Sequence, residues 1–314
     1  MEWIKLGLVF DLNKIKPDWL KSHAMTPTPL ILEDRIRVFF TGRNFNGKSQ
    51  ISFFDTDRSN PCVILYVHNE PLFDVGGLGA FDDCGTICTC AIKDSGRVYL
   101  YYTAYSVSYN VPYRNSIGVA VSDDNGFTFK RMFDGPILDR NTFDPYFVIS
   151  PWVIKYNDEW HLWYSSCDRW IEINNKPESV YHIKYAKSKD GINWIREDKS
   201  CINPKLPEEA NAKPTVIIQD DKLKMWFTFR GSRDFRDGLD SYRIGYAEAS
   251  LESPFEWKRM DEKSGINISQ DSFDNLMQAY PSVISIEDKD IMFYNGNGFG
   301  VSGVCCAVRF KNGK

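Results

Sequence analysis

The sequence has no apolar run near the roughly 18 to 20 residues that a membrane-spanning helix needs, so no membrane partner is expected. Its first residues, Met1-Glu2-Trp3-Ile4-Lys5-Leu6, hold no basic stretch followed by an apolar one, and no secretory signal is read there. Positive charge is not in excess. The 38 Lys and Arg against 42 Asp and Glu leave a net charge of −4, which excludes a nucleic-acid partner held by bulk positive charge. No P-loop, GxSxG elbow or dinucleotide-binding fingerprint occurs, and no cofactor is implied. Eight cysteines in 314 residues are too sparse for a disulfide scaffold and read as reduced thiols of a cytoplasmic protein. Cys84, Cys88 and Cys90 are close in sequence, but no paired CxxC or histidine completes a tetrahedral site, so no metal is expected. What the chain has in quantity is aromatic: 9 Trp, 16 Tyr and 21 Phe. That favours β structure and speaks against disorder.

The length suits roughly two ordinary domains, but an internal repeat replaces that reading. An apolar strand ending in two aromatics and then Thr, Ser or Asn occurs as Val38-Phe39-Phe40-Thr41, Leu100-Tyr101-Tyr102-Thr103, Leu162-Trp163-Tyr164-Ser165, Met225-Trp226-Phe227-Thr228 and Met292-Phe293-Tyr294-Asn295. The second aromatics are 62, 62, 63 and 67 residues apart. Each copy is followed by another strand, such as Ile117-Gly118-Val119-Ala120 or Ile244-Gly245-Tyr246-Ala247, then by a turn and a further strand. Asn125-Gly126 and Asp190-Gly191 supply turns that need positive φ. A short strand precedes each copy and often carries Pro: Pro27, Pro151, Pro214 and Pro281. The pattern predicts an all-β chain of four-stranded antiparallel meanders arranged as one five-bladed β-propeller over residues 1–314. The blades are expected at about 24–70, 82–140, 147–203, 211–268 and 278–314, the last completed by residues 1–10. Glu2-Trp3-Ile4-Lys5 resembles Asn193-Trp194-Ile195-Arg196 and so supplies the missing outer strand.

In such a ring the innermost strands line a funnel. Starts of first strands, ends of second strands and starts of third strands should share its mouth. The repeat register places His23, Thr26, Asp82, Asp83, Asp144, Ser150, Asn211, Lys213, Gln278 and Tyr280 at the first, and Arg43, Tyr105, Asp168, Arg230 and Asn297 at the second. Arg114, Asn115, His182 and Lys184 fall at the third. Arg43, Arg114, His182, Lys184, Lys213 and Arg230 together would attract an anion: phosphate, a nucleotide-sugar pyrophosphate or an acidic sugar. His182 could instead be a general acid or base, since its charge changes near neutral pH. Tyr280 could stack on a sugar, and Asn297 could offer its amide to hydroxyls.

The repeat form, Phe81-Asp82-Asp83, the segment Tyr101 to Ala104 and the Ser-x-Asp-Gly hairpins resemble the five-bladed propeller glycosidases, families 32, 43, 62, 68 and 130. More closely, His23…Pro27, Val111 to Asn115, His182 to Tyr185 and Tyr294 to Gly298 look like a group of uncharacterised bacterial proteins. These are similar to family-32 N-terminal domains and are often encoded among surface-polysaccharide genes. The resemblance implies a carboxylate on each of the first three blades. The first blade has none at the matching place (His23-Ala24-Met25-Thr26-Pro27), and the third offers Asp144 rather than Glu.

The functional expectation is a carbohydrate-active enzyme acting on an anionic glycoside, sugar phosphate or nucleotide sugar, as hydrolase, phosphorylase or transferase. Asp83 is its first acid/base candidate, Asp144 the second and His182 the third. His23, Arg43, Asp82, Arg114, Lys184, Lys213, Arg230, Tyr280 and Asn297 would bind substrate, with phosphate as a candidate co-substrate. The alternatives are a non-catalytic sugar or nucleotide-sugar binding propeller and a scaffold for protein partners.

Overall fold

A computed structural model describes residues 2–311 of the chain. Its strands are β1 (Ile4–Asp11), β2 (Ser22–Ile31), β3 (Arg35–Arg43), β4 (Ser49–Asp57), β5 (Ile64–Val67), β6 (Gly85–Asp94), β7 (Arg97–Ser106), β8 (Arg114–Ser122), β9 (Lys130–Arg131) and β10 (Val148–Tyr156). They continue as β11 (Glu159–Ile173), β12 (Lys176–Ser188), β13 (Ile195–Ser200), β14 (Ala210–Gln219), β15 (Lys222–Arg230), β16 (Arg243–Ser250), β17 (Lys258–Arg259), β18 (Ala279–Ile286), β19 (Lys289–Asn295) and β20 (Gly303–Phe310). Among the described residues no helix is long and apolar enough to cross a membrane.

The strands form four-stranded antiparallel meanders. β10–β13 and β14–β17 are separate sheets, while β2–β5 and β6–β9 are joined by one parallel pair, Ser49 with Gly85. The remaining sheet has the order β1-β20-β19-β18. The N-terminal strand therefore runs antiparallel to the last one, with Ile4 opposite Val308 and Asp11 opposite Gly303. The first strands also touch in sequence: β2 with β6, β6 with β10, β10 with β14, β14 with β18, and β18 with β2.

The aromatic repeat has a packing cause. Successive residues of a strand point to opposite faces, and each of these sheets is covered on both. The pairs Phe39/Phe40, Tyr101/Tyr102, Trp163/Tyr164, Trp226/Phe227 and Phe293/Tyr294 are therefore all buried, none more than 1 % exposed. Burial of each such ring contributes about 1.5–3 kcal/mol. Gly118 and Gly245 make room for the second ring: a Cβ there would lie 2.3 Å from Tyr102 and 2.5 Å from Phe227.

The polar residue after each pair ties one sheet to the next. Thr41 Oγ1 accepts from the Cys88 amide at 3.0 Å, Thr103 Oγ1 from Ser150 at 2.8 Å and Thr228 Oγ1 from Tyr280 at 2.9 Å. Asn295 closes the series more firmly. Its Oδ1 accepts from the Thr26 amide at 2.8 Å, and its Nδ2 donates to the carbonyls of Ala24 and Gly303. Ser165 Oγ, buried at the corresponding place, has no partner among the described residues.

The recurring prolines sit in β-bulges. Pairing breaks between Met25 and Thr28, Ile149 and Trp152, Ala212 and Thr215, and Ala279 and Ser282. Within each break, Thr26, Ser150, Lys213 or Tyr280 precedes a proline and adopts φ between +49° and +57°. Proline is tolerated because a bulge leaves its position unpaired and no N–H is needed there.

Candidate functional site

A cavity of about 690 Å³ opens where first strands begin, second strands end and third strands begin. β2 contributes Ser22 and Met25, β3 contributes Arg43, β7 Tyr105, β8 Asn115, β12 Tyr181 and β18 Tyr280. Connecting segments add Lys21, Cys84, Tyr113, Phe235, Arg236, Tyr242 and Phe299. The lining thus holds three cations and five tyrosines, and no carboxylate among the described residues. Arg236 is matched by Glu178, with Nη1 to Oε1 at 2.7 Å. Arg43 is exposed and forms no ion pair among the described residues.

Of the expected site residues, Arg43 and Tyr280 face this cavity, as do Tyr105 and Asn115, which the repeat register also places at the mouth. His23 lies beside Arg43, its Nδ1 2.8 Å from Ser22 Oγ. Burial, with help from the Arg43 charge, pushes its pKa down to about 4, so the ring is neutral at pH 7. Lys213 is fully buried, its Nζ donating to Ser282 Oγ at 2.8 Å and lying 4.8 Å from the Trp152 ring centroid. Burial pushes its ammonium down to about 8. Arg230 is buried behind Tyr181 and Tyr242 rather than in the lining.

Asp82 and Asp144 require correction. Both lie outside the lining, in a repeated clip that fastens a sheet internally. Asp82 accepts from Tyr102 Oη at 3.3 Å and Arg131 Nε at 2.8 Å. Asp144 accepts from Tyr164 Oη at 3.1 Å and Arg196 Nη1 at 2.8 Å. Asp274 does the same with Tyr294 Oη at 3.0 Å and Lys5 Nζ at 2.6 Å. Burial works against the Asp274 charge, yet bonds from Lys5, Ser269 and Gln278 hold its pKa below the usual carboxylate range. In each clip the tyrosine follows the aspartate by 20 residues and the cation comes from the outer strand. Asp82 and Asp144 are 1 % and 0 % exposed, which leaves no room for a glycosidic oxygen.

Other expected ligands are also committed elsewhere. Lys184 donates to Asp198 at 2.7 Å and to the Phe143 carbonyl at 2.6 Å, and lies 3.5 Å from Asp144. Arg114 pairs with Asp139 at 2.6 Å. Asn297 accepts from the amides of Leu276 and Met277, so it shapes a loop. His182 Nε2 is 3.7 Å from Asp168 Oδ2, its Nδ1 is buried without a partner among the described residues, and burial lowers its pKa. Neither lies in the lining. Asp83 stands at the margin, beside the lining residue Cys84. Its Oδ2 accepts from the Gly79 amide at 3.1 Å, and its Oδ1 is buried without a partner among the described residues. Burial, and then Asp83 itself, raise the Cys84 pKa and keep that thiol protonated.

Sequence reasoning missed Tyr181, Phe235, Arg236, Tyr242 and Phe299. Phe235, Arg236 and Tyr242 lie on the connection 231–242 between β15 and β16, far longer than its counterpart 44–48 between β3 and β4. That extra length was the available signal. The five-membered repeat could not register residues that only one copy possesses.

No family model matches the chain. Protein Rv1502 of Mycobacterium tuberculosis, itself described as uncharacterized, is 33% identical over 310 residues, covering 98% of this chain and 99% of the relative. A β-1,2-mannobiose phosphorylase of Thermoanaerobacter is 32% identical over 121 residues, covering 35% of this chain and 40% of that enzyme. Among solved structures, a thermostable family-43 glycoside hydrolase superposes with a TM-score of 0.65 at 17% identity, covering 93% of this chain and 92% of its own. A structure from the family-130 mannoside phosphorylases, a family described as also containing hydrolases of β-1,2 mannosidic linkages, gives 0.64 at 14%, covering 93% and 85%. These structural likenesses are of fold: the chain is built like the propeller-type glycoside hydrolases.

Proposed function

The chain belongs to one family with the mycobacterial protein Rv1502, and from that premise we propose that it binds an anionic carbohydrate in the central funnel of a five-bladed propeller. Sugar phosphates, nucleotide sugars and acidic glycosides are the ligand class. The observation that carries this reading is the lining itself: Lys21, Arg43, Arg236 and five tyrosines, with no carboxylate among the described residues. Glycoside hydrolysis by the common route needs two carboxyl groups flanking the bond. With Asp82 and Asp144 fastened in clips, the lining holds no such pair among the described residues, which supports binding over hydrolysis. The family-130 resemblance and the partial match to a mannobiose phosphorylase agree with an anion site.

A second reading is phosphorolysis, which needs a single proton donor and a bound phosphate. Asp83 favours it, because its unpartnered Oδ1 sits one residue from the funnel. One experiment separates the two. The protein is incubated with β-1,2-mannobiose and with nucleotide sugars, with and without phosphate, while binding and product are both followed. Saturable binding without product supports the binding funnel. Phosphate-dependent release of mannose 1-phosphate, abolished in Asp83→Asn, supports the phosphorylase. Absence of binding to every anionic ligand overturns both.

A further inference from the structure

Resting on the reading of the funnel as an anion site, we propose that the Tyr181 and Tyr242 hydroxyls form the contact for a phosphoryl or carboxylate oxygen of the ligand, with Arg230 as their positioning residue. Arg230 ends β15 and is 3% exposed. Among the described residues no carboxylate lies within ion-pair distance of it. Its Nη1 donates to the Gly231 carbonyl at 2.7 Å and Ser232 Oγ at 3.2 Å, and its Nη2 to the Ser179 carbonyl at 2.9 Å. Its Nε donates towards both phenol oxygens, Tyr181 at 3.3 Å and Tyr242 at 3.2 Å. The guanidinium lies 3.8 Å from the Phe235 ring centroid, and Arg236 lies 4.2 Å from the same centroid. Arg236 is matched by Glu178, whereas Arg230 has no such counter-charge.

A buried cation without a counter-ion is costly unless something supplies the missing charge. The tyrosines show where it comes from. Each phenol oxygen receives the guanidinium, so each keeps its own proton to donate. The two oxygens are 3.4 Å apart, and one proton can bridge them. The other can turn towards the neighbouring Tyr280 or into the cavity, whose lining holds no carboxylate among the described residues to take it. Tyr113 is already tied to Ser179 Oγ at 3.0 Å and does not compete. An anionic oxygen of the ligand meets the free proton, and the guanidinium one bond behind strengthens that donor. Arg230 does not touch the ligand; it fixes the direction in which the hydroxyls give.

The test titrates the intact protein with inorganic phosphate, pyrophosphate and glucuronate, the last separating a carboxylate from a phosphoryl source. The Tyr181→Phe/Tyr242→Phe double variant keeps both rings and is expected to weaken the bound anion about tenfold or more. Arg230→Gln is expected to weaken it similarly, and Arg230→Lys to restore part of that loss. A native protein that binds none of the three anions sinks the anionic funnel itself. If the native protein binds one and the double variant binds it equally, only the tyrosine contact is overturned. Equal losses in Arg230→Gln and Arg230→Lys overturn the positioning role and leave Arg230 a packing residue.

Discussion

Tyrosine and basic side chains meet in two regions of this molecule, and they are paired in opposite ways. In the clips, every phenol gives its proton to a carboxylate, and Arg131, Arg196 or Lys5 neutralises the same carboxylate. The clip carboxylates are buried, and each has its charge matched within its own sheet, although Asp82 and Asp274 each keep one oxygen without a partner among the described residues. In the funnel, tyrosines and cations converge without a carboxylate among the described residues, so donors are left over. Burial alone does not tell the regions apart, because Asp144 and Arg230 are equally deep. What separates them is how far charge is matched: in the funnel Arg236 has Glu178, but Arg43 has no ion pair among the described residues. A charged residue facing its complement is architecture; one facing none is an invitation to a ligand.

The contrast can be broken at the clips first. Deleting residues 1–8 removes Lys5 from the Asp274 clip and most of β1 from its sheet. Loss of the cooperative thermal transition is expected, and unchanged melting would refute a structural role for this strand. Asp144→Asn comes next. It leaves Arg196 and Lys184 facing a neutral group, which should cost about 3–5 kcal/mol in denaturant unfolding. Anion affinity of the surviving folded protein should not change. Arg43→Ala should do the reverse. Stability should stay within about 0.5 kcal/mol, while affinity for an anionic probe falls about tenfold, as measured by calorimetry.

A smaller effect follows from pH. Burial holds His23 and His161 near pKa 4 in the fold, against about 6.5 when unfolded. The unfolded chain therefore binds more protons between those values. The stability due to the neutral rings is complete above pH 6.5 and is lost as pH falls towards 4. His161 is buried and His23 partly exposed, so Tm should fall across this window, less on account of His23 than of His161. A Tm that rises instead would contradict the assignment. His23→Asn should flatten part of the slope.

Much of the scaffold is legible in the sequence. The aromatic pairs mark second strands because each sheet is covered on both faces, and Trp3 at the N-terminus matches the outer strands of other copies. The 20-residue step from Asp to Tyr in 82/102, 144/164 and 274/294 was equally readable, and it would have moved Asp144 out of the site. The step does not stand out, because an aspartate next to a proline, as at 144, also suits a loop or a catalytic rim. The funnel was only partly legible. Arg43 and Tyr280 lie on repeated strands and could be registered. Arg236 and Tyr242 lie on a connection unique to one copy, and their meeting with Tyr181 depends on how two sheets face each other, which no spacing within one strand reports.

The unpartnered Ser165 hydroxyl has a mechanical meaning. Thr41, Thr103, Thr228 and Asn295 each stitch a sheet to the backbone of the next, whereas the seam after Ser165 has no such stitch. A ring sewn unevenly gives way where a thread is absent. The Lys213 amide, at that seam, should therefore exchange with deuterated solvent before the amides of Ser150, Tyr280 and Thr26, although its side chain is among the deepest in the protein. The same two sheets are held instead by longer side chains, Trp152 Nε1 donating to the Val216 carbonyl and Arg230 Nη2 to that of Ser179, so the opening expected there is local to the Lys213 bulge.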